Sequence, residues 1–534
     1  MALDCRTSFF LKHMMTYLEE SSPSGLRRLR VLAGVCLASA AMPMTFTGPA
    51  VALRDIARSL GGSPVALAWV TNAFMLAFGS MLMVAGALAD RHGRRKVFLA
   101  GVGVFVLASL ALVGAPGIVA FDLLRALQGA ASAAVFAGGA AALAQEFEGA
   151  ERIRAFSMLG TSFGVGLTLG PVAAGWLSAA LGWRSIFLLV IGCAVLAAAV
   201  AATALRESRD PQAQVLDWPG ALAFTLALSL FTYGVLQAPD QGLRHPATAG
   251  ALLASVLAFA GFVHIEQRAG RPMLDLSLFR YPRFVGVQLL AAAPAYGFVV
   301  LLVLLPIRFV GIEGLPAAEA GRWMACLSAP LIAVPLAAGL LAKRFSPAAL
   351  CGTGLLLASA GLVWLGAAGS GTQALPPLVL IGAGMGLPWG LMDGLAVTVV
   401  PKERAGMATG IFSTTRVAGE GLALALVGAA LSALVAHRLH ALAPLPDGMA
   451  ATLAQQLTAG DLGTAVRLWP ALSGAEMAQA YQSAFSTLAW GLAGITLLTA
   501  GVVFAFLGRG AQSHAHAPLP GGGVRAAQPC RRAL

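Results

Sequence analysis

Apolar residues run along this chain in blocks of about 20, parted by short polar segments, and a block of that length is what a helix needs to cross a bilayer. Such blocks fall near 31–53, 66–88, 97–115, 117–144, 155–178, 185–205 and 217–236. Seven more fall near 247–265, 284–309, 322–342, 348–368, 375–400, 409–435 and 484–507. The pattern predicts an all-α polytopic membrane protein with fourteen spanning helices. The first 30 residues are mixed and polar around Glu19, Glu20, Ser21 and Ser22. They lack the short apolar core and small-residue cleavage site of a removable leader, so the first span is expected to stay as an anchor. One polar segment, about 436–483, holds Pro444, Pro446, Asp447, Asp461 and Pro470 and is expected to form short amphipathic helices outside the membrane. The tail after Arg509 (SHAHAPLPGGG) reads as disordered.

Composition sharpens this picture. Of 534 residues, 58% are apolar and 11% charged, with a mean hydropathy of +0.80. A soluble domain carries about 25% charged residues, so a soluble fold of this length is excluded. A transmembrane barrel, whose strands alternate polar and apolar residues, is excluded as well. A net charge of +12 would suggest nucleic acid in a soluble protein, but the placement of the cations argues against such a partner. With the N-terminus inside, the inner segments hold 25 of the 35 lysines and arginines and the outer loops hold 8. That bias sets topology and puts both termini on the cytoplasmic side of a bacterial inner membrane. The six cysteines are scattered, without a CxxC pair or nearby histidine pairs, and read as small core residues. No metal site is expected.

Three stretches carry more than topology. After the second span the chain reads Gly86-Ala-Leu-Ala-Asp90-Arg91-His-Gly93-Arg94-Arg95-Lys96. This is a tight inner turn, with Gly93 free to take positive φ and Asp90 able to accept from Arg94. The fourth span carries Arg125-Ala-Leu-Gln128-Gly129. An arginine inside a membrane helix is costly unless paired or solvated, and Asp122, three residues earlier on the same face, is the expected partner. The fifth span carries Gly166-Leu-Thr-Leu-Gly170-Pro171-Val-Ala-Ala-Gly175. Small residues at four-residue spacing allow close helix approach, and the proline bends the rod.

GALADRHGRRK resembles the hallmark loop of the major facilitator superfamily, and the arginine stretch is similar to that superfamily's RxxQG motif. The fifth span resembles the GxxxGPxxGG signature of its antiporter branch, with Ala174 in place of one glycine. Leu216-Asp217-Trp218-Pro-Gly220 and Glu266-Gln-Arg268 through Leu278-Phe279-Arg280 look like the fourteen-span drug:proton antiporter (multidrug efflux) family in particular. The resemblance implies the major facilitator fold, with two six-helix bundles and two inserted helices. It divides the chain into a tail at 1–30, a bundle at 31–205, an inserted pair with linkers at 206–283, a second bundle at 284–508 and a tail at 509–534. It gives Gly86, Asp90, Arg91, Gly93 and Arg94 a gating role, Arg125 a role in proton movement, and Gly166, Gly170, Pro171 and Gly175 a role in antiport. One departure stands out: where the family commonly has a first-span acid, this chain has Thr45.

Proton coupling needs a carboxyl that titrates between the two faces. Of 23 acidic residues only Asp122, Asp393 and Glu420 fall within spans. Glu420 lies four residues after Arg416 and is expected to pair with it. Asp393 has no cation within a helical turn, and a desolvated carboxyl without a partner suits reversible protonation. Asp393 therefore ranks first as proton carrier and Glu420 second. Trp69, Asn72, Phe74, Tyr296, Phe298 and Trp389 are candidates for a substrate cavity.

Enzyme signatures are missing: there is no GxxxxGK[ST] and no HExxH, and the one GxSxG string, Gly160 to Gly164, lies within a span. The expected activity is export of lipophilic or amphipathic small molecules against inward proton flow, with no cofactor beyond the proton gradient. Partners would be the substrate, protons, membrane lipid and a periplasmic adaptor, which the long outer loop allows without demanding. The alternatives are symport or uniport of a specific metabolite, and lipid scrambling or a membrane enzyme on the same scaffold.

Overall fold

The structure, a computed structural model, describes residues 23–209, 217–268, 276–342, 344–399, 405–446 and 448–508. Fourteen of its helices are long and apolar enough to cross a membrane, which bears out the expected fold class. Spans one to six are Gly25–Val51, Pro64–His92, Arg94–Val113, Ile118–Glu146, Arg154–Leu181 and Arg184–Ala204. Spans seven and eight are Trp218–Pro239 and Pro246–Arg268. Spans nine to fourteen are Pro282–Ile312, Ala317–Leu341, Pro347–Ala367, Gly371–Ala396, Gly410–Leu442 and Gly474–Gly508.

Two groups of six pack within themselves. Span one lies on five and six, span four on two and three, and span three on six. In the second group, span eleven lies on twelve and fourteen, and span nine on thirteen and fourteen. The groups meet along two seams, span five against ten and span two against thirteen. Span seven covers the second seam, packing on both two and thirteen, while span eight packs on seven. The two inserted helices differ from span nine in kind. Of span nine's most apolar window 89% is buried, against 22% for span eight, so span nine is core and span eight a lipid-facing staple.

Local chemistry sets several of these ends. Asp217 Oδ1 accepts from the Gly220 amide at 2.9 Å and caps span seven. Glu266 lies buried near the end of span eight, its carboxylate close to Gly220, and Leu276–Arg280 form a short 3-10 helix. Residues 269–275 of that expected motif lie outside the described residues, as do the N-tail 1–22, the C-tail 509–534, and Cys5 and Cys530. Cys36, Cys193, Cys326 and Cys351 are free thiols.

The outer segment is shorter than its polarity suggests. Span thirteen runs on to Leu442 and span fourteen begins at Gly474, so the segment expected at 436–483 contracts to 443–473. The early start has a local cause: the Ser473 amide donates to Glu476 Oε2 at 2.8 Å, and the Glu476 amide donates back to Ser473 Oγ at 3.2 Å. This reciprocal capping box nucleates the helix before its apolar stretch begins. Within the segment, Met449–Thr458 and Leu462–Leu468 form the expected short helices. Asp461 caps the second of them through Thr464. Burial alone would raise its carboxyl, but the Thr464 bonds and the charges of Arg467 and Arg54 outweigh that and hold it below the usual carboxylate range.

Candidate functional site

The motif stretches are best understood by what their backbones touch. At the five–ten seam, a Cβ on Gly175 would collide with the Ala317 carbonyl, and one on Gly321 with the Pro171 carbonyl. Gly166 abuts Ala40, and Gly170 abuts Thr47 and Met44, on span one. The glycines of this string therefore serve two contacts: Gly166 and Gly170 seat span five in its own half, and Gly175 seats it against the other. Further along the seam, Gly160 has nothing within 4 Å of where its Cβ would stand. The halves thus press together at the Gly175 end and still meet at Gly164, where a Cβ would stand 3.0 Å from the Leu331 carbonyl.

At the two–thirteen seam, a Cβ on Gly79 would stand 2.6 Å from the Ala418 Cα, and one on Gly421 would stand 3.2 Å from the Met75 Cβ. Glu420 follows Ala418 and precedes Gly421 in the stretch of span thirteen that makes this crossing, but helical periodicity turns it to a different side of the helix from both; it is only 3% exposed. Its expected partner is also engaged elsewhere. Arg416 Nη1 donates to Asp393 Oδ1 at 3.2 Å and stacks over Phe412. The Asp393 side chain is 54% exposed. The expectation for Asp393 is corrected, since it is neither desolvated nor free of a cation; Arg416 is shared, its charge acting on Glu420 along its own helix while its hydrogen bond goes across to Asp393. The deviation arises at Pro388 and Gly390, where span twelve breaks its helix and presses on Pro335, offering the turn that begins at Met392 to span thirteen.

The expected Asp122–Arg125 pairing is met only in part: the two charges act on each other, but no hydrogen bond joins them. Arg125 is fully buried. Its Nε donates to the Val70 carbonyl at 2.8 Å and its Nη1 to Gln128 Oε1 at 2.5 Å. The guanidinium stands 4.6 Å above the Phe74 ring. Gln128 passes the network on, donating to Ser109 Oγ at 2.7 Å, and Gly129 packs on the Phe74 carbonyl. The motif ties spans two, three and four together, and Asp122 is left out of it.

The inner loop works within one half. Arg94 donates to Asp90 Oδ1 at 3.0 Å and also bonds Gln145 at the end of span four. The Arg94 amide donates to the Ser208 carbonyl at 3.0 Å. Gly93 has φ 117°, and a Cβ there would run into the Glu207 carboxylate. Gly86 faces open space, and Arg91 is exposed. Gly93→Ala is therefore expected to cost about 1–3 kcal/mol from backbone strain. A melting temperature lowered by several degrees, with transport at least halved, is the result to look for; an unchanged melting curve would contradict it.

The six cavity candidates do not share one place. Phe74, Trp389 and Phe298 belong to a continuous row of rings, Phe74–Phe78–Phe136–Phe163–Trp389–Phe298, with neighbouring centroids 6.0 to 6.4 Å apart. The row crosses from one half to the other between Phe163 and Trp389. Tyr296 instead bonds Thr499 on span fourteen, away from the row, which corrects its expected position. Asn72 lines a cavity of about 100 Å³ under the outer segment, with Ser432 and Gln455. Trp69 lines a separate lateral crevice. Sequence reasoning missed Phe78, Phe136 and Phe163; the i, i+4 spacing of Phe74 and Phe78 was the available signal. Thr45 donates its hydroxyl to the Ala41 carbonyl at 2.8 Å, an intrahelical bond that leaves no carboxyl-like group in its place. Among the described residues no cluster of ligating side chains could hold a metal.

The Major Facilitator Superfamily profile matches residues 33–443. The chain is 32% identical over 403 residues to the multidrug resistance protein Stp of Mycobacterium tuberculosis, covering 74% of this chain and 75% of that one. It is 31% identical over 428 residues to a probable actinorhodin transporter of Streptomyces coelicolor, covering 77% and 73%. Among solved structures, a bacterial homologue of the human lysosomal transporter Spinster, in an inward-facing and unoccupied conformation, superposes with a TM-score of 0.64. That match is at 18% identity and covers 91% of this chain and 97% of that one; it is a likeness of fold.

Proposed function

The chain belongs to the Major Facilitator Superfamily, and on that premise we propose that it is a proton-coupled exporter of lipophilic or amphipathic small molecules in a bacterial inner membrane, with both termini cytoplasmic. It is a transporter by family, with relatives named for multidrug resistance and antibiotic export. Alternating access around the aromatic row is the mechanism the seams favour: two helix pairs carry the half-to-half contact, and one of them holds a buried carboxyl.

The observation that carries the reading is the position of Glu420. A carboxylate buried on span thirteen, a helix that crosses from one half to the other and must move in the cycle, is costly when charged and cheap when protonated. On this reading its protonation state is coupled to how span thirteen sits against its neighbours. Proton binding from the outside would favour one arrangement of the halves and release inside would restore the other, while the substrate, stacked on the Phe163–Trp389 step, moves the opposite way. Asp393 and Arg416, joined near the inner end of the same seam, would open and close with it. Arg125 takes part by holding spans two and four at fixed spacing.

The test uses everted membrane vesicles with an acid interior and a fluorescent lipophilic cation such as ethidium. Accumulation at least fivefold above that without a gradient, abolished by a protonophore, is expected. Equal accumulation with and without the gradient would overturn proton coupling.

A further inference from the structure

Spans two, four and seven enclose a crevice of about 840 Å³ that is distinct from the aromatic row. Its size falls in the range of small-molecule sites, roughly 300–1,000 Å³. One wall is apolar and turned to lipid: Val119, Leu123 and Leu127 of span four are each about half exposed or more. The opposite wall is polar and comes from the inserted helix, with Thr225, Ser229, Gln237 and Gln241. Trp69 of span two supplies an aromatic face.

Asp122 is the only charged residue among the described ones that line the crevice. Its Oδ1 is buried with no hydrogen-bond partner. The cation that helical spacing would assign to it, Arg125, is turned instead toward Val70, Gln128 and Phe74. Arg125 still acts on Asp122 through its charge, but no hydrogen bond occupies Oδ1, which remains available to a ligand in the crevice. An acid that is the sole charge on the crevice wall, an aromatic face, neutral hydrogen-bonding groups and an apolar wall open to the bilayer form a constellation that matches a bulky organic cation that partitions into lipid.

We propose that this crevice is a lateral binding site for lipophilic organic cations, with Asp122 as counter-ion and the inserted seventh helix as its outer wall. The site gives that helix a role besides stapling: without it, Asp122 would face the membrane. A cation would enter from the lipid between spans four and seven, leaving its apolar groups against Leu123 and Leu127 and its charge beside Asp122. The proposal goes beyond the export reading and stands or falls separately from it, since it concerns binding at equilibrium.

The experiment is equilibrium binding of radiolabelled tetraphenylphosphonium to the purified full-length protein in lipid nanodiscs, with no gradient present. Asp122→Asn is expected to weaken binding at least tenfold while leaving a neutral triphenyl amphiphile bound as before. Ser229→Trp, which fills the crevice from the inserted helix, should weaken both ligands at least tenfold. Gln237→Glu adds a second acid to the wall and should tighten the cation at least threefold, an outcome that misfolding does not imitate. Wild-type protein that fails to bind the cation would overturn the proposal. So would affinities within twofold of wild type in all three variants, or a bound phospholipid displaced by Ser229→Trp while cation binding stays unchanged.

Discussion

Gly175→Leu is expected to reduce transport at least tenfold in a protein that still inserts and folds. The Gly175 Cα stands against the backbone of the opposite half, so a side chain there meets the Ala317 carbonyl and the Ala318 Cα. Neither is the flexible end of a side chain that can swing aside. Each half keeps its own packed interior, so the added volume is relieved by parting spans five and ten rather than by unfolding either bundle. A carrier that cannot close this seam cannot complete its cycle. Gly321→Leu, opposite Pro171, should give the same loss. Gly160→Ala is the control. Nothing lies within 4 Å of its Cβ position, so it should leave transport unchanged and stabilise by up to about 1 kcal/mol through helix propensity. Full transport by Gly175→Leu would show that the seam is not part of the working cycle.

Arg125→Lys should be nearly as damaging as Arg125→Ala, although it keeps the charge. Arginine satisfies two acceptors in different directions, the Val70 carbonyl through Nε and Gln128 through Nη1, and its flat guanidinium covers the Phe74 ring. An ammonium on a straight stem reaches one of these and leaves the others unfilled. With hydrogen bonds to charged groups at about 1.5–3 kcal/mol each, the loss is about 3–5 kcal/mol for alanine and somewhat less for lysine. Thermal denaturation in detergent, read beside transport, should show both variants melting well below wild type. Lysine that restored both readouts would mean that charge alone matters at this position.

Much of this architecture was legible in the chain. Twenty apolar residues in a row can do little else than span, and the glycine spacing of 166, 170 and 175 announced close approach before any neighbour was known. What the sequence concealed was which neighbour. Helical spacing reports same-helix partners only: it found the charge interactions of Asp122 with Arg125 and Arg416 with Glu420, but not where each guanidinium would place its hydrogen bonds. Arg125 found a backbone carbonyl on span two, and Arg416 found Asp393 across the break at Pro388. Asp393 read as desolvated because it falls in an apolar run, yet the helix breaks just before it and the side chain lies half in the open. Tyr296 was misplaced for a related reason: composition marks an aromatic residue as a cavity candidate, but only packing decides that it faces Thr499. The start of span fourteen was readable after all, since Ser473-Gly-Ala-Glu476 is a capping box; the polar residues after it obscured the signal.

The most direct test of the central claim separates proton coupling from substrate movement at Glu420. Purified protein is reconstituted into proteoliposomes containing a pH-sensitive dye, a pH gradient is imposed, and a transported lipophilic compound is added. Substrate exchange between the two sides is followed in parallel without any gradient. Wild-type protein should release protons on substrate addition, whereas Glu420→Gln should exchange substrate but move no protons. Substrate-driven proton flux that persists in Glu420→Gln, with exchange intact, would contradict the account and place the coupling group elsewhere.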